Sequence, residues 1–519
     1  MTHAQTNKWL ITISVMIPTL IEILDTTVVN VSLTHIQGSL SAGQEEVTWV
    51  LTSYLVSNAV VIPMSGWLAD LLGRKRYLIT SVILFTASSL LCGLAASLPQ
   101  LVFFRVLQGI GGGGLQPMSM AILMEAYPPE ERGMAMAIYG MGIVVGPLLG
   151  PVLGGFLTDY YSWRWIFYIN LPIGVLAVFM CRSFIFDPPG RKGLGPGATI
   201  DYLGLILLCV GLGSLQIVLD KGQTEDWFSS NLILTLSVLS LASLALLVFW
   251  ELRQKNPVLD LRVLKDRSFA AGNLVMFTGF FAFFSSIVLL PSFLQNLLGY
   301  TALQAGLVLG PSGILTLFLM PISGRLTQTV DPRRLLAAGL LVNAYALYYM
   351  SGFNLEIDFF SAALGRVIQG AGMPFFFVPL SMVTMAYVSN ERMNRASAMF
   401  NLVRNLGGSF GVAFVTTLLA RRTQFHYLRM AEHLTPYDAS LNLGVESLQN
   451  VLVPKFGVMT DTAHAAQAII QGQMQRQAAA LAFNDAFYFL GFLFLGLVLT
   501  LFITKRPPSR RDRLNAAAH

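Results

Sequence analysis

Two acids lie inside a long apolar stretch near the start of the chain, where a charge is costly. At 1.5 Å per helical residue, Asp25 lies about 24 Å along this stretch, and Glu22 lies one turn before it. Ionisable groups inside a membrane segment usually mark ion or proton pathways. We therefore predict that Asp25 couples to protons, with a static ion pair as the alternative. Glu22 is a second proton site, a group that attracts cations, or a silent hydrogen-bonded side chain.

Arg105 is the predicted partner of Asp25. It lies about 9 Å from the start of a stretch that runs in the opposite direction, so both side chains share one depth. A contact that changes with conformation would change how tightly Asp25 holds a proton. Alternatively, Arg105 extends to the membrane surface. The motif Arg105-Val-Leu-Gln-Gly-Ile-Gly111 recurs as Arg366-Val-Ile-Gln-Gly-Ala-Gly372, and Arg366 is expected to hold packing.

A polar surface is predicted around Arg404, about 16 Å from its helix start and flanked by Asn401 and Asn405. Aromatic and methionine side chains adapt to varied ligands, although core packing explains any single one as well. A cavity that also carries Glu22 and Asp25 favours lipophilic cations or weakly polar aromatics. The predicted cavity residues are Asn30, Gln116, Tyr139, Phe281, Phe376, Asn401 and Arg404.

Glycines recur every four residues in the segment 142–155, so they share one face of a helix. Another helix can approach such a face closely, and prolines bend the same helix. The pattern fits a moving joint or ordinary tight packing. The residues of this segment are Gly142, Gly146, Pro147, Gly150, Pro151, Gly154 and Gly155.

A short loop after the second apolar stretch has the sequence Gly66-Trp-Leu-Ala-Asp70-Leu-Leu-Gly73-Arg74-Lys75. An acid at a helix end and a nearby arginine can form a charge pair that stabilises one conformation. We predict this latch for Asp70 and Arg74, whereas Arg and Lys side chains there also suit anionic headgroups. Glu125 is expected at a solvated boundary. The latch residues are Gly66, Asp70, Gly73, Arg74 and Lys75.

These residues lie in a chain whose composition is typical of an integral membrane protein. Of its 519 residues 54% are hydrophobic and 12% are charged, whereas soluble domains carry about 25% charged residues. A spanning helix needs about 20 mostly apolar residues. About fourteen such runs are predicted, near 9–34, 48–70, 77–97, 99–125, 132–157, 163–184, 201–220, 229–250, 268–298, 302–325, 333–353, 357–388, 394–420 and 481–504. The first run has no small-residue cleavage pattern and is expected to be retained.

Arg and Lys accumulate in alternate loops, so the positive-inside rule predicts that these loops and both termini are cytoplasmic. The net charge of +6 then describes loops facing anionic lipid, and a nucleic-acid partner is not expected. Three cysteines and scattered histidines indicate neither a disulfide framework nor a metal site. No Walker A phosphate-binding loop is present, so ATP is not expected to be the energy source. Neither a cofactor nor an enzyme activity is predicted.

The repeated arginine motif predicts two related halves. Six helices in each half and two inserted helices account for fourteen, with an axis along the membrane normal. The expected domains are a six-helix bundle at 1–190, two inserted helices with a cytoplasmic linker at 191–267, and a six-helix bundle at 268–519. The last of these includes a periplasmic segment at 421–480.

Seven segments together resemble a known family: 24–31, 66–75, 105–109, 142–155, 163–174, 213–220 and 226–230. They resemble the major facilitator superfamily, specifically its fourteen-helix drug:proton antiporters and EmrB-type multidrug exporters. The second copy of the loop motif, at 324–334, departs from the family pattern. The resemblance implies neighbouring first and fourth helices and proton-coupled export by alternating access across the inner membrane. A metabolite symporter or uniporter and a non-transporting scaffold are the alternatives.

The segment 421–480 starts polar and becomes rich in Ala and Gln, with a few apolar residues. A helix on the membrane surface would explain it. The resemblance to EmrB-type exporters instead suggests docking to a membrane-fusion adaptor and an outer-membrane channel.

Overall fold

The computed structural model describes residues 7–187, 201–254, 256–432, 439–456 and 462–501, and within these ranges the regular elements are all helices. The predicted all-α architecture is confirmed. The α-helices are α1 (Lys8–Val31), α2 (Leu33–Ser39), α3 (Gln44–Val47), α4 (Trp49–Leu72), α5 (Arg74–Leu94), α6 (Leu98–Gly112), α7 (Leu115–Ala126), α8 (Arg132–Tyr160), α9 (Trp165–Tyr168), α10 (Asn170–Phe184), α11 (Tyr202–Lys221), α12 (Asn231–Glu251), α13 (Arg267–Asn296), α14 (Ala302–Thr329), α15 (Pro332–Met350), α16 (Phe359–Met385), α17 (Met393–Ala431), α18 (Ala439–Phe456) and α19 (Thr462–Thr500).

Short polar side chains start several of these helices because they satisfy backbone N–H groups that have no partner within the helix. Asp266 accepts from the N–H of Phe269 at the start of α13. Thr301 and Gln304 form a reciprocal pair of hydrogen bonds at the start of α14. Gly73 separates α4 from α5 with φ of +87°, a conformation that favours glycine.

Twelve of the described helices are long and apolar enough to cross a membrane. Two further segments fall outside this set. One is the α6–α7 pair, which is interrupted at Gly113 and Gly114, and the other is α15, which has 19 residues. Counting both as spans would give fourteen, so the predicted number is compatible with the structure and stays a prediction.

The helices form two groups. In the first, α1 contacts α7, α8 and α10, and α4 and α5 contact α6. In the second, α13 contacts α17, and α15 contacts α16 and α19. The inserted helices α11 and α12 pair with each other, and α11 also contacts α4 and α17, one helix from each group. The expected domain limits at 190 and 267 stay predictions, and both chain ends and residues 188–200 lie outside the described residues.

The two groups meet closely at one end of the bundle. We call it the basic end, because the segments 73–76, 256–266, 330–334 and 386–395 lie there. Arg395 at the start of α17 lies so close to α4 that a Cβ added at Gly66 would be 2.8 Å from its Cα. Helices α8 and α14 are equally close there, since a Cβ added at Gly324 on α14 would be 2.9 Å from the carbonyl oxygen of Gly133 on α8. The structure is therefore closed at the basic end.

Candidate functional site

A buried ion pair joins α1 to α6. Arg105 donates through Nη1 to Oδ2 of Asp25 at 2.5 Å, and both side chains are fully buried. The other carboxylate oxygen, Oδ1, accepts from Gln108 Nε2 at 2.8 Å and from Asn170 Nδ2 at 3.0 Å. Arg105 also donates from Nε to the carbonyl of Val50 at 3.1 Å. The predicted contact is thus present, and the side chain of Asp25 accepts hydrogen bonds from one guanidinium and two amides.

Glu22 lies one turn away in a network of neutral groups. Its Oε2 accepts from Gln116 Nε2 at 2.5 Å, and its Oε1 accepts from Asn58 Nδ2 at 3.1 Å. The amide oxygen of Gln116 in turn accepts from Arg404 on α17. A continuous polar path therefore runs from the first group of helices to the second. Arg404 reaches Glu22 only through Gln116, so Glu22 is not directly paired with a cation.

Tyr54 on α4 connects the two acids. Its hydroxyl donates to Oε1 of Glu22 at 3.4 Å, and its ring lies 4.1 Å from Cζ of Arg105. The ring stabilises the guanidinium through a cation–π interaction. Tyr54 therefore contacts Glu22 directly and Asp25 through Arg105. A change in the charge of either acid acts on this tyrosine.

Four of the predicted cavity residues meet between the two groups. Tyr139 on α8 donates to Oδ1 of Asn401 at 2.9 Å and lies 3.5 Å from Nη1 of Arg404, which binds Gln116. Their side chains are buried or half-buried, so they close the middle of the interface in this conformation.

The other three predicted cavity residues lie away from this polar cluster, and the aromatic packing of Phe376 and Phe281 corrects the prediction for these two. Asn30 is exposed near the end of α1. Phe376 is fully buried inside the second group, 6.1 Å from the ring of Phe280. Phe281 packs against Phe414 on α17, with ring centroids 5.4 Å apart. Aromatic residues on one helix point in several directions, so helix membership did not identify those that face the polar path.

The glycine face of α8 contacts α1. A Cβ at Gly146 would lie 2.2 Å from Cγ2 of Ile23, and the backbone of Gly146 accepts a hydrogen bond from Thr27 at 3.1 Å. Gly142, Gly150 and Gly154 of α8 also contact α1. Pro147 and Pro151 lie within α8. Gly155 has nothing within 4 Å of its Cβ position and lies off this contact. The helix that carries Asp25 thus packs directly on α8.

The latch residues are present but paired differently from the prediction. Asp70 accepts from Arg395 of the second group at 2.9 Å, while Arg74 pairs with Glu125 on α7 at 2.7 Å. The Asp70–Arg74 pair is therefore wrong, and Glu125 is mostly buried rather than solvated. Asp70 lies on α4 and faces α17, whereas Arg74 lies on α5 and faces α7.

Other contacts surround this latch. Arg395 also lies 3.4 Å from Asp260, which belongs to the segment after α12. Lys75 donates from its backbone N–H to Asp187 at 2.9 Å and from Nζ to the carbonyl of Arg182 at 2.7 Å. The latch is thus held by both groups and by the segment that follows the inserted helices.

Tyr54, Asn58, Asn170 and Arg395 are site residues that sequence reasoning missed. Asn58 and Asn170 are amides inside apolar runs, and that position alone could have marked them as partners of buried acids. Tyr54 gives no such signal, because tyrosine also occurs at membrane interfaces.

Comparison with known proteins agrees with this geometry. The sequence profile described as Major Facilitator Superfamily matches residues 15–412. The chain belongs to the major facilitator superfamily. Membership in this superfamily makes the chain a membrane transporter rather than an enzyme.

Two relatives and one solved structure illustrate the likeness. The chain is 37% identical to the multidrug export protein EmrB of Escherichia coli K12 over 499 residues, covering 96% of the chain and 95% of the relative. It is 36% identical to the fatty acid resistance protein FarB of Neisseria gonorrhoeae over 497 residues, with 96% of each covered. The structure of the proton:xylose symporter XylE aligns with a TM-score of 0.62 at 14% identity over 99% of both chains, which shows the superfamily fold alone.

Proposed function

We propose that this chain exports lipophilic small molecules across the inner membrane in exchange for protons. The observation that carries the proposal is the buried Asp25–Arg105 pair at 2.5 Å, which lies beside a polar path across the two groups of helices. A carboxylate in that position can be neutralised by a proton, and Arg105 then loses its counter-charge. Relatives that align over 96% of the chain are named for multidrug export and for fatty acid resistance.

The cycle follows from the charges. Asp25 binds a proton while the end opposite the basic end is open. Its ion pair with Arg105 then breaks, and the neutral carboxyl no longer holds α1 and α6 in one arrangement. Opening of the basic end separates Asp70 from Arg395 and gives substrate access to Glu22 and Gln116. Loading of substrate there favours loss of the proton from Asp25, which restores the ion pair.

The superfamily fold also serves symport and uniport, and direction of flux distinguishes them. Purified protein is reconstituted in liposomes with an acidic lumen and the membrane potential clamped at zero. The probes are permanently charged or non-ionisable aromatics, because weak bases and acids redistribute with pH without a protein. Antiport predicts accumulation in the acidic lumen. Symport predicts depletion there, a uniporter equilibrates without regard to the pH gradient, and a scaffold gives no flux; each of these three results contradicts the proposal.

We place the basic end in the cytoplasm. The loops that define it carry Arg395, Arg74 and Arg333, and the positive-inside rule puts such loops on the cytoplasmic side. The long outer parts of α17 and α19 would then extend into the periplasm. They are joined there by Asp485, which accepts from Arg422 at 2.6 Å and from His426 at 2.7 Å.

We further propose that this outer region docks a periplasmic adaptor that leads to an outer-membrane channel. Leu443 and Val451 on α18 are mostly exposed, with 65% and 56% of their surface accessible. Their replacement by serine should reduce resistance in cells and leave flux in liposomes unchanged, because an adaptor is needed only in the cell. Loss of flux in liposomes would instead indicate a helix that rests on the lipid.

A further inference from the structure

The two halves of the bundle contain the same buried motif with one difference. Arg105 and Gln108 bind Asp25 across separations of 80 and 83 residues. Arg366 and Gln369 bind Ser286 across the same two separations of 80 and 83 residues. Ser286 therefore occupies the position in the second half that Asp25 occupies in the first.

The second half lacks the acids that balance the arginine. Ser286 stands in place of the carboxylate, and Phe283, three residues earlier, stands where Glu22 stands in the first half. The ring centroid of Phe283 lies 5.6 Å from Cζ of Arg366. Throughout the ranges that the structure describes, no carboxylate forms an ion pair with Arg366.

Arg366 is nevertheless buried, with 9% of its surface accessible. Its Nη1 donates to Gln369 Oε1 at 2.5 Å and weakly to Ser286 Oγ at 3.4 Å, and its Nε has no hydrogen-bond partner. The Ser286 hydroxyl already accepts from Gln369 Nε2 at 2.8 Å and donates to the carbonyl of Phe283 at 2.7 Å. A buried guanidinium with neutral partners and an unused donor is costly unless an anion compensates it.

We propose that Arg366, with Ser286 and Gln369, forms a binding site for a small monovalent anion. The ligand is a halide or the carboxylate of a small acid, since Ser286 is neutral at the position where Asp25 supplies a single negative charge. It would contact the Nε edge of the guanidinium and supply the charge that Asp25 supplies to Arg105. This site is separate from the proton site and does not depend on the proposed export.

The test measures thermal unfolding of the purified full-length protein by tryptophan fluorescence. Gluconate is replaced at constant ionic strength by chloride in one arm and by acetate in the other. We expect a saturable rise in the midpoint, about 2 °C at ten times the half-saturating concentration. A rise with chloride alone identifies a halide site, and a rise with acetate alone identifies a carboxylate site. No rise in either arm overturns the proposal.

Variants assign the effect to this site. Arg366→Gln and Ser286→Asp should both abolish the rise, the first by removing the cation and the second by supplying an internal carboxylate. If one variant does not fold, the other still decides. Arg404→Gln is the matched control, because Arg404 is also buried but donates to three neighbours, Tyr139, Gln116 and Asn405. A rise that persists in Arg366→Gln, or that disappears in Arg404→Gln, places the anion elsewhere and refutes the assignment.

Discussion

Replacement of Asp25 by asparagine should uncouple substrate movement from the pH gradient. One exchanged proton contributes about 1.4 kcal/mol per pH unit, which supports about a tenfold substrate gradient. Among the ion pairs that the structure describes, Asp25 and Arg105 form the pair in which both side chains are fully buried, so we expect one exchanged proton and a wild-type accumulation ratio that rises tenfold per pH unit. In Asp25→Asn the ratio should stay at one for every gradient, while downhill flux of the same probe persists.

Glu22→Gln is the matched control for this experiment. Glu22 lies one turn from Asp25 on the same helix and is equally buried, but it has only neutral hydrogen-bond partners. We expect this variant to keep the tenfold slope and to lose preference for cationic over neutral probes. The assignment of the coupled proton to Asp25 is refuted if the accumulation ratio still rises tenfold per pH unit in Asp25→Asn. It is also refuted if this dependence is lost in Glu22→Gln alone.

Loss of folding must be separated from loss of coupling. Removing one partner of a buried ion pair costs about 3–5 kcal/mol, because the other charge is left buried. The single variant should therefore unfold at lower temperature. Asp25→Asn combined with Arg105→Gln removes both charges and should recover much of this stability without recovering the slope. Equal destabilisation in the single and double variants would show that the ion pair does not dominate this site.

Two further predictions concern the packing between helices and the latch. Gly146→Val should lower both the unfolding temperature and flux, because the added side chain would overlap Ile23, an overpacking cost of about 1–3 kcal/mol. Gly155→Val should change both little, since that position has open space, and equal effects of the two variants would contradict a role for the α1–α8 contact. Asp70→Asn should widen the distance between spin labels on the two loops at the basic end, because it removes the charge that holds Arg395. An unchanged distance distribution would exclude a latch.

Sequence reasoning succeeded where depth and residue type carry the information. Asp25 and Arg105 were matched because a charge in an apolar run needs a partner at the same depth, and the structure brings them together. The all-α fold and the superfamily followed from apolar runs and short motifs. These features depend on one helix or one loop at a time.

Sequence reasoning failed where the direction of a side chain decides its partner. The loop motif predicts a pair between Asp70 and the nearby Arg74, but the partner of Asp70 is Arg395, which lies 325 residues later. The rotation of α4 and α5 about their axes determines this choice, and the motif does not contain it. Phe376 was misplaced for the same reason, because only packing shows that its ring points into the core of the second group.

Helix α8 connects Asp25, the proposed proton site, to the second group of helices. Asp25 lies on α1, whose side chains Ile23 and Thr27 pack directly against the glycine face of α8 and whose backbone approaches this face at Gly154. At another part of α8, a Cβ at Gly140 would be 2.9 Å from Met320 on α14. Closely packed helices move as units because their interiors resist compression. A shift of α1 caused by breaking the ion pair with Arg105 would therefore displace α8 against α14 rather than be absorbed locally. Close packing at the glycines of α8 would thus transmit a change in the charge of Asp25 to the interface between the two groups of helices.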